Sequence, residues 1–228
     1  MSSSLALADF STCEISDALL KLGVPHGGHI PDLARFSPTP SSDTAPPRLC
    51  GPAYTVRMVL VSDTDAPRLQ GHFVDCIPDG SVAFIAAPSN AQSAVWGGLM
   101  TLGALARGCR GTVVYGRARD LSEHRSLGYP LFALGTSTVG QAPFTRASEV
   151  QVPVIVNVTE SGLPQVEVRP GDLLVGDEDG VVCVPRELEG EVVERAKRGR
   201  EVDARCAEDI KKGVGVAESF RRHRGTKL

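Results

Sequence analysis

Arg119 and Asp120 stand side by side at the end of an apolar segment, and a glycine pair, Gly97-Gly98, precedes them with twenty residues between Gly98 and Arg119. A guanidinium beside a carboxylate at a strand's carboxyl end suits an anionic substrate and a metal ion in one pocket. Gly97-Gly98 opens a helical pattern, and the first N–H groups of a helix have no partner within it, so they favour an anion. Those donors and Arg119 would hold a small carboxylate from two sides, the guanidinium gripping it bidentately. Ionised Asp120 offers about four lone-pair sites. A hard divalent ion that keeps most of its waters and takes one protein carboxylate is the usual magnesium arrangement. The same residues also have a purely structural reading. Asp120-Leu121-Ser122-Glu123 is a D-x-x-E capping box, and Arg119 could pair with any carboxylate nearby.

The elements that must position these residues follow from periodicity. Val95, Leu99, Leu102 and Ala106 keep helical spacing up to Gly108, Thr112 to Tyr115 reads as a buried strand, and Arg119 to Ser126 reads as a short helix stopped by Gly128. Upstream, Ser11-Thr12-Cys13-Glu14 is a capping box, followed by Ile15, Ala18, Leu19 and Leu22 on one helical face and a stop at Gly23. Residues 24–47 are rich in Gly, Pro and Ser and read as loop. Leu49 to Val61 predicts a long strand, Asp63 to Ile77 a short helix, Ser81 to Ala87 a buried strand and Pro130 to Leu134 another. Val152–Val158, Gln165–Val168, Leu173–Gly176 and Val181–Val184 alternate with turns, and Glu187 to Lys212 is one long charged helix. The pattern predicts an α/β fold, a compact sandwich of stacked sheets with outer helices, and argues against a doubly wound Rossmann sheet.

Length and composition fit a single domain over residues 1–212, followed by a basic, solvated tail at 213–228. A net charge of −3 excludes the concentrated basic face that nucleic acid requires; Arg221-Arg222-His223-Arg224 is the one basic cluster. Six scattered cysteines without a C-x-x-C pair fit a reducing, cytoplasmic setting. The start has no basic region before a long apolar run, as a signal peptide would, and no stretch is apolar enough to span a bilayer. The terminal Thr226-Lys227-Leu228 is one residue from a peroxisomal address.

Gly98, twenty residues, Arg119-Asp120, two residues and Glu123 match a G-x20-R-D-x2-E/D signature, and on it the chain resembles the RraA-like proteins, which include the 4-hydroxy-4-methyl-2-oxoglutarate (HMG) aldolases. The block from Pro170 to Pro185, Ile15-Ser16-Asp17-Ala18-Leu19 and Gly51-Pro52-Ala53 resemble that family too, so the likeness spans nearly the whole chain. The resemblance implies a swivelling-domain type of sandwich assembled as a homotrimer or a pair of trimers, with its site between subunits. It implies a class II aldolase using Mg²⁺ or Mn²⁺, which also decarboxylates oxaloacetate through the same pyruvate enolate. On that model Asp120 holds the metal, Arg119 binds the substrate's carboxylate or oxo group, and the amides of Leu99 and Met100 complete the carboxylate site. Asp17 and a member of the Glu201/Asp203 pair, from a neighbouring subunit, would hold metal waters. Glu123 would serve the cap or orient Arg119.

Other motifs read more plainly. His26-x-x-His29 lacks a third ligand at useful spacing and reads as surface histidines. Asp172, Asp177 and Asp179 miss the calcium-loop register and read as turn residues. Trp96 reads as a packing anchor. Two functional classes compete: a divalent-metal carbon–carbon lyase acting on a small oxo acid, and a protein-binding regulator of the kind the family's namesake represents. A methyltransferase would need a glycine-rich nucleotide loop that this chain lacks.

Overall fold

A computed structural model describes residues 6–39, 47–156 and 164–225. The terminal Thr226-Lys227-Leu228, the end of the Val152–Val158 segment and part of the 24–47 loop lie outside the described residues. In chain order the elements are α1 (Thr12–Lys21), β1 (His29–Ile30), β2 (Ala34–Ser37), β3 (Leu49–Leu60), β4 (Val82–Ala86), β5 (Ala94–Trp96), α2 (Gly98–Ala106), β6 (Gly111–Ala118), α3 (Leu121–Ser126), β7 (Leu131–Thr136), β8 (Thr145–Val150), β9 (Val154–Val156), β10 (Val166–Val168), β11 (Leu173–Asp177), β12 (Gly180–Val184), α4 (Glu189–Lys211) and α5 (Val216–His223).

One large mixed sheet runs β1-β12-β11-β3-β4-β6-β7-β2, with β5 added beside β6 and β8 beside β3. Its centre, β3-β4-β6-β7, is parallel, and its flanks are antiparallel. The central strands are buried on both faces, as parallel strands covered on two sides must be. Val82 and Phe84 of β4 and Val113 of β6 point into one core with the β9–β10 hairpin, whereas Ala83, Ile85 and Val114 point into another with Phe73, Val74, Trp96 and Ala104. A third cluster seats α1 and α4 on Leu173, Val175, Val182 and Val184 of the late hairpin. The architecture is therefore a mixed α/β fold with a large sheet and outer helices, as the element pattern predicted.

Several local expectations need correction. Residues 63–77 form no helix beyond a 3-10 turn at Phe73–Cys76, because Pro67 and Gly71 interrupt the segment. The 24–47 loop contributes β1 and β2 to opposite edges of the sheet. Val95 belongs to β5 and not to the helix, which starts at Gly98. Helix α2 buries its small residues, Gly98, Thr101 and Ala104, and turns Leu99, Leu102 and Leu105 outward. Close packing forces that choice: a Cβ on Gly103 would lie 2.8 Å from Val74 Cγ1. The basic C-terminal cluster stands on a short helix, with Arg221, Arg222 and Arg224 exposed. Helix α5 packs on α4, where His223 and Arg222 meet Asp209 at 3.0 and 3.6 Å, Arg224 meets Asp203, and Ser219 is buried.

The capping box at Ser11 forms in full, with Ser11 Oγ accepting from Glu14 N and Glu14 accepting from Ser11 N. A second cap comes from far along the chain: Asp177 accepts from Thr12 N at 2.8 Å and from Thr12 Oγ1 at 2.7 Å. Asp172 likewise accepts from Arg169 N and Arg186 N, so these aspartates are turn residues. His26 Nδ1 accepts from Gly28 N at 3.0 Å, which commits that ring to its own loop. All six cysteines are free. Among the described residues no helix is long and apolar enough to cross a membrane. Replacing Asp177 with Ala leaves the Thr12 donors without an acceptor. The expected loss is about 1–3 kcal/mol, read as a lower urea midpoint at unchanged slope; an unchanged midpoint would show that the long-range cap contributes nothing.

Candidate functional site

Strand pairing brings the two motifs together. In the parallel register of β5 on β6, Trp96 lies opposite Ala118, so Gly97-Gly98 and Arg119-Asp120 leave neighbouring strands at the same level. Arg119 N donates to Trp96 O at 3.0 Å, which fastens the two exits to each other.

The turn at Asp120 is left-handed, with φ 60° and ψ 41°. Aspartate tolerates this region better than most residues, but a helix N-cap ordinarily sits in the extended region. The consequence is chemical. Asp120 makes no side-chain cap to α3; neither half of the D-x-x-E box is present. Its Oδ2 instead accepts from Gly98 N at 2.9 Å, at the start of α2. The capping reading of Asp120 is thus overturned, since the left-handed backbone aims the carboxylate across to the other helix. Arg119 Nε lies 3.5 Å from the same oxygen, and the two side chains are 46% and 35% exposed in the single chain.

Missing side chains make room for this arrangement. A Cβ on Gly97 would lie 2.6 Å from Asp120 Oδ2 and 3.3 Å from Arg119 Nε. A Cβ on Gly140 would lie 2.7 Å from Arg119 Nη1, so the guanidinium runs from Gly97 to Gly140 across bare backbone. Glu123 places its carboxylate over Gly98, where a Cβ would lie 1.7 Å from Oε2. Of the two helix amides expected to receive a carboxylate, Met100 N already donates to Gly97 O at 3.1 Å. Leu99 N has no protein acceptor among the described residues, and it alone of the pair is available to a ligand.

Beneath the turn runs a buried polar chain that the sequence did not disclose. Trp96 Nε1 donates to Thr101 Oγ1 at 2.9 Å, Thr101 Oγ1 meets His124 Nδ1 at 2.9 Å, and His124 Nε2 meets the Arg119 carbonyl at 2.7 Å. A carbonyl only accepts, so Nε2 carries the proton; Nδ1 of the neutral ring then accepts from the Thr101 hydroxyl. Every polar atom of the chain is used. His124 is fully buried, and burial lowers its pKa from the ordinary 6.5, which keeps the ring neutral. The chain joins the residue before Gly97 to the carbonyl before Asp120. The one sequence signal was the spacing of Thr101 and His124 on helices that both start at the site.

The expected metal-water carboxylates lie elsewhere in the single chain. Asp17 and Asp203 line a cleft of about 640 Å³ between α1 and α4, with Glu201 on the same helix as Asp203. Those helices pack on β11 and β12, not on β5 and β6. Among the described residues no three His, Cys, Asp or Glu side chains come together as a metal cluster.

The fold is that of a mixed α/β protein, and at the ends of β5 and β6 it brings Gly97-Gly98, Arg119, Asp120 and Glu123 together. Residues 12–183 match the family model RraA-like, described as Aldolase/RraA, and the chain belongs to the RraA-like family. An uncharacterized protein of Pseudomonas syringae pv. tomato has the same fold, with a TM-score of 0.76 and 31% identity over 96% of this chain and 98% of that one. Protein DlpA of Legionella pneumophila is 30% identical over 93% of this chain, which spans only 32% of DlpA. A 4-hydroxy-4-methyl-2-oxoglutarate aldolase of Thermus thermophilus is 33% identical over 49% of this chain and 63% of its own.

His124→Leu would leave the Thr101 hydroxyl proton without an acceptor and the Arg119 carbonyl without this donor, at about 1–3 kcal/mol for each group. His124→Gln, which carries an acceptor and a donor, should recover most of that in a urea titration. The pH dependence has a fixed sign. Because the folded pKa is depressed, the unfolded chain binds the extra proton, so this contribution is complete above about pH 6.5 and declines on acidification below it. His124→Gln should flatten that limb. Glu14, held at about 2 by its hydrogen bond from Arg200, loses its contribution only at lower pH, below its ordinary 4.5.

Proposed function

We propose that this protein is a divalent-metal-dependent carbon–carbon lyase of the class II aldolase type, cleaving 4-hydroxy-2-oxo acids to pyruvate and decarboxylating oxaloacetate. The observation that carries the reading is the left-handed Asp120, whose carboxylate faces Gly98 N–H and the Arg119 guanidinium instead of capping its own helix. A carboxylate used only for capping would have taken the local box.

The residues fit a hard cation. Asp120 Oδ2 is engaged by Gly98 N, and the remaining lone pairs of the partly exposed carboxylate are open to a ligand. One carboxylate with waters suits Mg²⁺ or Mn²⁺; a three-ligand zinc set does not form among the described residues. The bound ion would supply Lewis-acid stabilisation of the charge that develops on the substrate's 2-oxo oxygen. Asp120 would hold it, and Arg119 would pair with the substrate carboxylate and fix its plane. Leu99 N–H would donate to the same carboxylate at the positive end of α2.

The reaction balances without a covalent enzyme adduct. In the aldol cleavage the C4 hydroxyl loses its proton, the C3–C4 bond breaks, C4 becomes a carbonyl and the electron pair stays on C3 as the pyruvate enolate, which takes up a proton. In oxaloacetate the bond between C3 and its carboxyl group breaks, carbon dioxide leaves, and the same enolate results. A lysine is not required.

The site is half-open in one chain, and the outward leucines of α2, with Leu99 at 76% exposure, adjoin it. Apolar surface of this kind beside a polar site supports closure by a second copy. A trimer or a pair of trimers would then bring Asp17, Glu201 or Asp203 of a neighbouring subunit to the metal's waters.

Pyruvate release from oxaloacetate and from HMG, with and without EDTA and added Mg²⁺, tests the proposal; turnover should vanish with EDTA and return with the ion. Asp120→Ala should lower metal-dependent kcat/KM by about 10²–10³-fold in a chain that still folds, with a melting temperature lowered only by the lost Gly98 bond and the left-handed alanine. Arg119→Lys should fail by at least about tenfold, because an ammonium cannot reproduce the planar fork. Turnover that ignores EDTA would refute the metal-dependent reading, an active Asp120→Ala would move the metal off Asp120, and no turnover of either substrate would leave the protein-binding reading.

A further inference from the structure

The turn that aims Asp120 lies within successive peptide groups that are held unequally. The group joining Ala118 to Arg119 is fixed by backbone on both sides: Ala118 O accepts from Ser137 N at 3.0 Å, and Arg119 N donates to Trp96 O at 3.0 Å. The group joining Asp120 to Leu121 is fixed by the first turn of α3, where Asp120 O accepts from Glu123 N at 3.0 Å and from His124 N at 3.3 Å. Among the described residues the group between them has a single tie, from His124 Nε2 to the Arg119 carbonyl at 2.7 Å. His124 thus holds the carbonyl on each side of Asp120, one with its ring and the other with its backbone N–H.

That middle tie decides where the carboxylate points. A φ of 60° is disfavoured for a residue with a Cβ, so Asp120 stays there only while its surroundings require it. A half-turn of the middle peptide would return Asp120 to negative φ, the side from which an N-cap carboxylate reaches its own helix. Glu123 stands in place to complete that local box. Asp120-Leu121-Ser122-Glu123 therefore has two uses, a cap or a site, and the ring donor excludes the first. Trp96 secures the donor. Its indole N–H can only donate, so the Thr101 hydroxyl that receives it turns its own proton to His124 Nδ1, and the ring keeps its proton on Nε2.

We infer that His124 is a positioning residue: its ring holds the Arg119–Asp120 peptide so that the Asp120 carboxylate serves Gly98 N–H and the open side of the site instead of capping α3. The ring is fully buried, so it acts only through the direction of Asp120. The consequence for ion binding rests on the metal-dependent reading; the consequence for the Gly98 hydrogen bond does not. Groups that orient a ligating side chain in this way are worth about 10–100-fold in metal affinity.

Two measurements on the full chain separate these consequences. Hydrogen exchange of the Gly98 amide, followed by NMR without metal, reads the bond to Asp120; the Val114 amide in buried β6 reads opening of the whole sheet beside it. Calorimetric titration with Mg²⁺ reads the ion. His124→Leu should speed Gly98 exchange relative to Val114 by about tenfold and weaken Mg²⁺ by about 10–100-fold. His124→Gln, which restores a donor, should recover most of both losses. Asp177→Ala, which loosens the fold away from the site, should leave Mg²⁺ affinity unchanged. Should His124→Leu not fold, Thr101→Val takes its place: it frees the ring tautomer and should move both readouts the same way, with Thr101→Ser restoring them. Gly98 exchange that ignores these variants, or a His124→Gln chain no better than His124→Leu, overturns the inference. If Gly98 follows His124 while the unaltered chain takes up no Mg²⁺, or while Mg²⁺ affinity stays constant, Asp120 is not the ion's holder and the clamp on its turn stands.

Discussion

The site depends on one hydrogen bond, from Gly98 N to Asp120 Oδ2. It is made between the starts of two helices that leave adjacent parallel strands, and it exists because Asp120 adopts a left-handed turn that turns its carboxylate away from its own helix. Three other features serve that contact. The backbone bond between Arg119 and Trp96 sets the level of both strand exits, the glycines at 97 and 98 leave space for the carboxylates of Asp120 and Glu123, and the Trp96–Thr101–His124 chain holds the carbonyl that precedes the turn. The carboxylate thereby acquires a fixed direction while about a third of the side chain still faces outward, so it stands as an accessible group on a rigid support.

The fold explains why such a support is available. The central parallel strands are buried on both faces, so their exits are held by packing on two sides, and residues at those exits inherit a stiff frame. Helices α1 and α4 cover the late hairpin instead of the ends of β5 and β6. Acidic residues on those helices therefore belong to a different surface of the single chain, and only assembly would carry them to Arg119 and Asp120.

Much of this was legible in the residues. The long strand β3, the strands β4, β6 and β7, the late hairpin and the helix from Glu189 follow from alternation and turn chemistry, and the meeting of Gly97-Gly98 with Arg119-Asp120 follows from a glycine turn and a strand end. What escaped has physical causes. Strands β2, β5 and β8 are short or polar and gain stability from neighbours, not from their own pattern. The outward leucines of α2 obey helical spacing as well as a buried stripe would, and only the close approach of Val74 decides which face turns in. Asp120-x-x-Glu123 satisfies the sequence rule for a cap, yet the rule assumes an extended backbone at the first residue. His124 carries no motif of its own; its role appears only once Thr101 is brought beside it.

The two-fold tie from Asp177 to Thr12 spans 165 residues. The opening helix can start its first turn alone, using Ser11 and Glu14, but its backbone and hydroxyl donors find their lasting acceptor only when the late hairpin has emerged from the ribosome. Any fragment that stops short of that hairpin therefore leaves the amino-terminal helix unfastened, with Ile15, Ala18 and Leu19 deprived of the surface they cover. Arrival of the late hairpin, and not passage of the first half of the chain, is the event that locks its beginning in place.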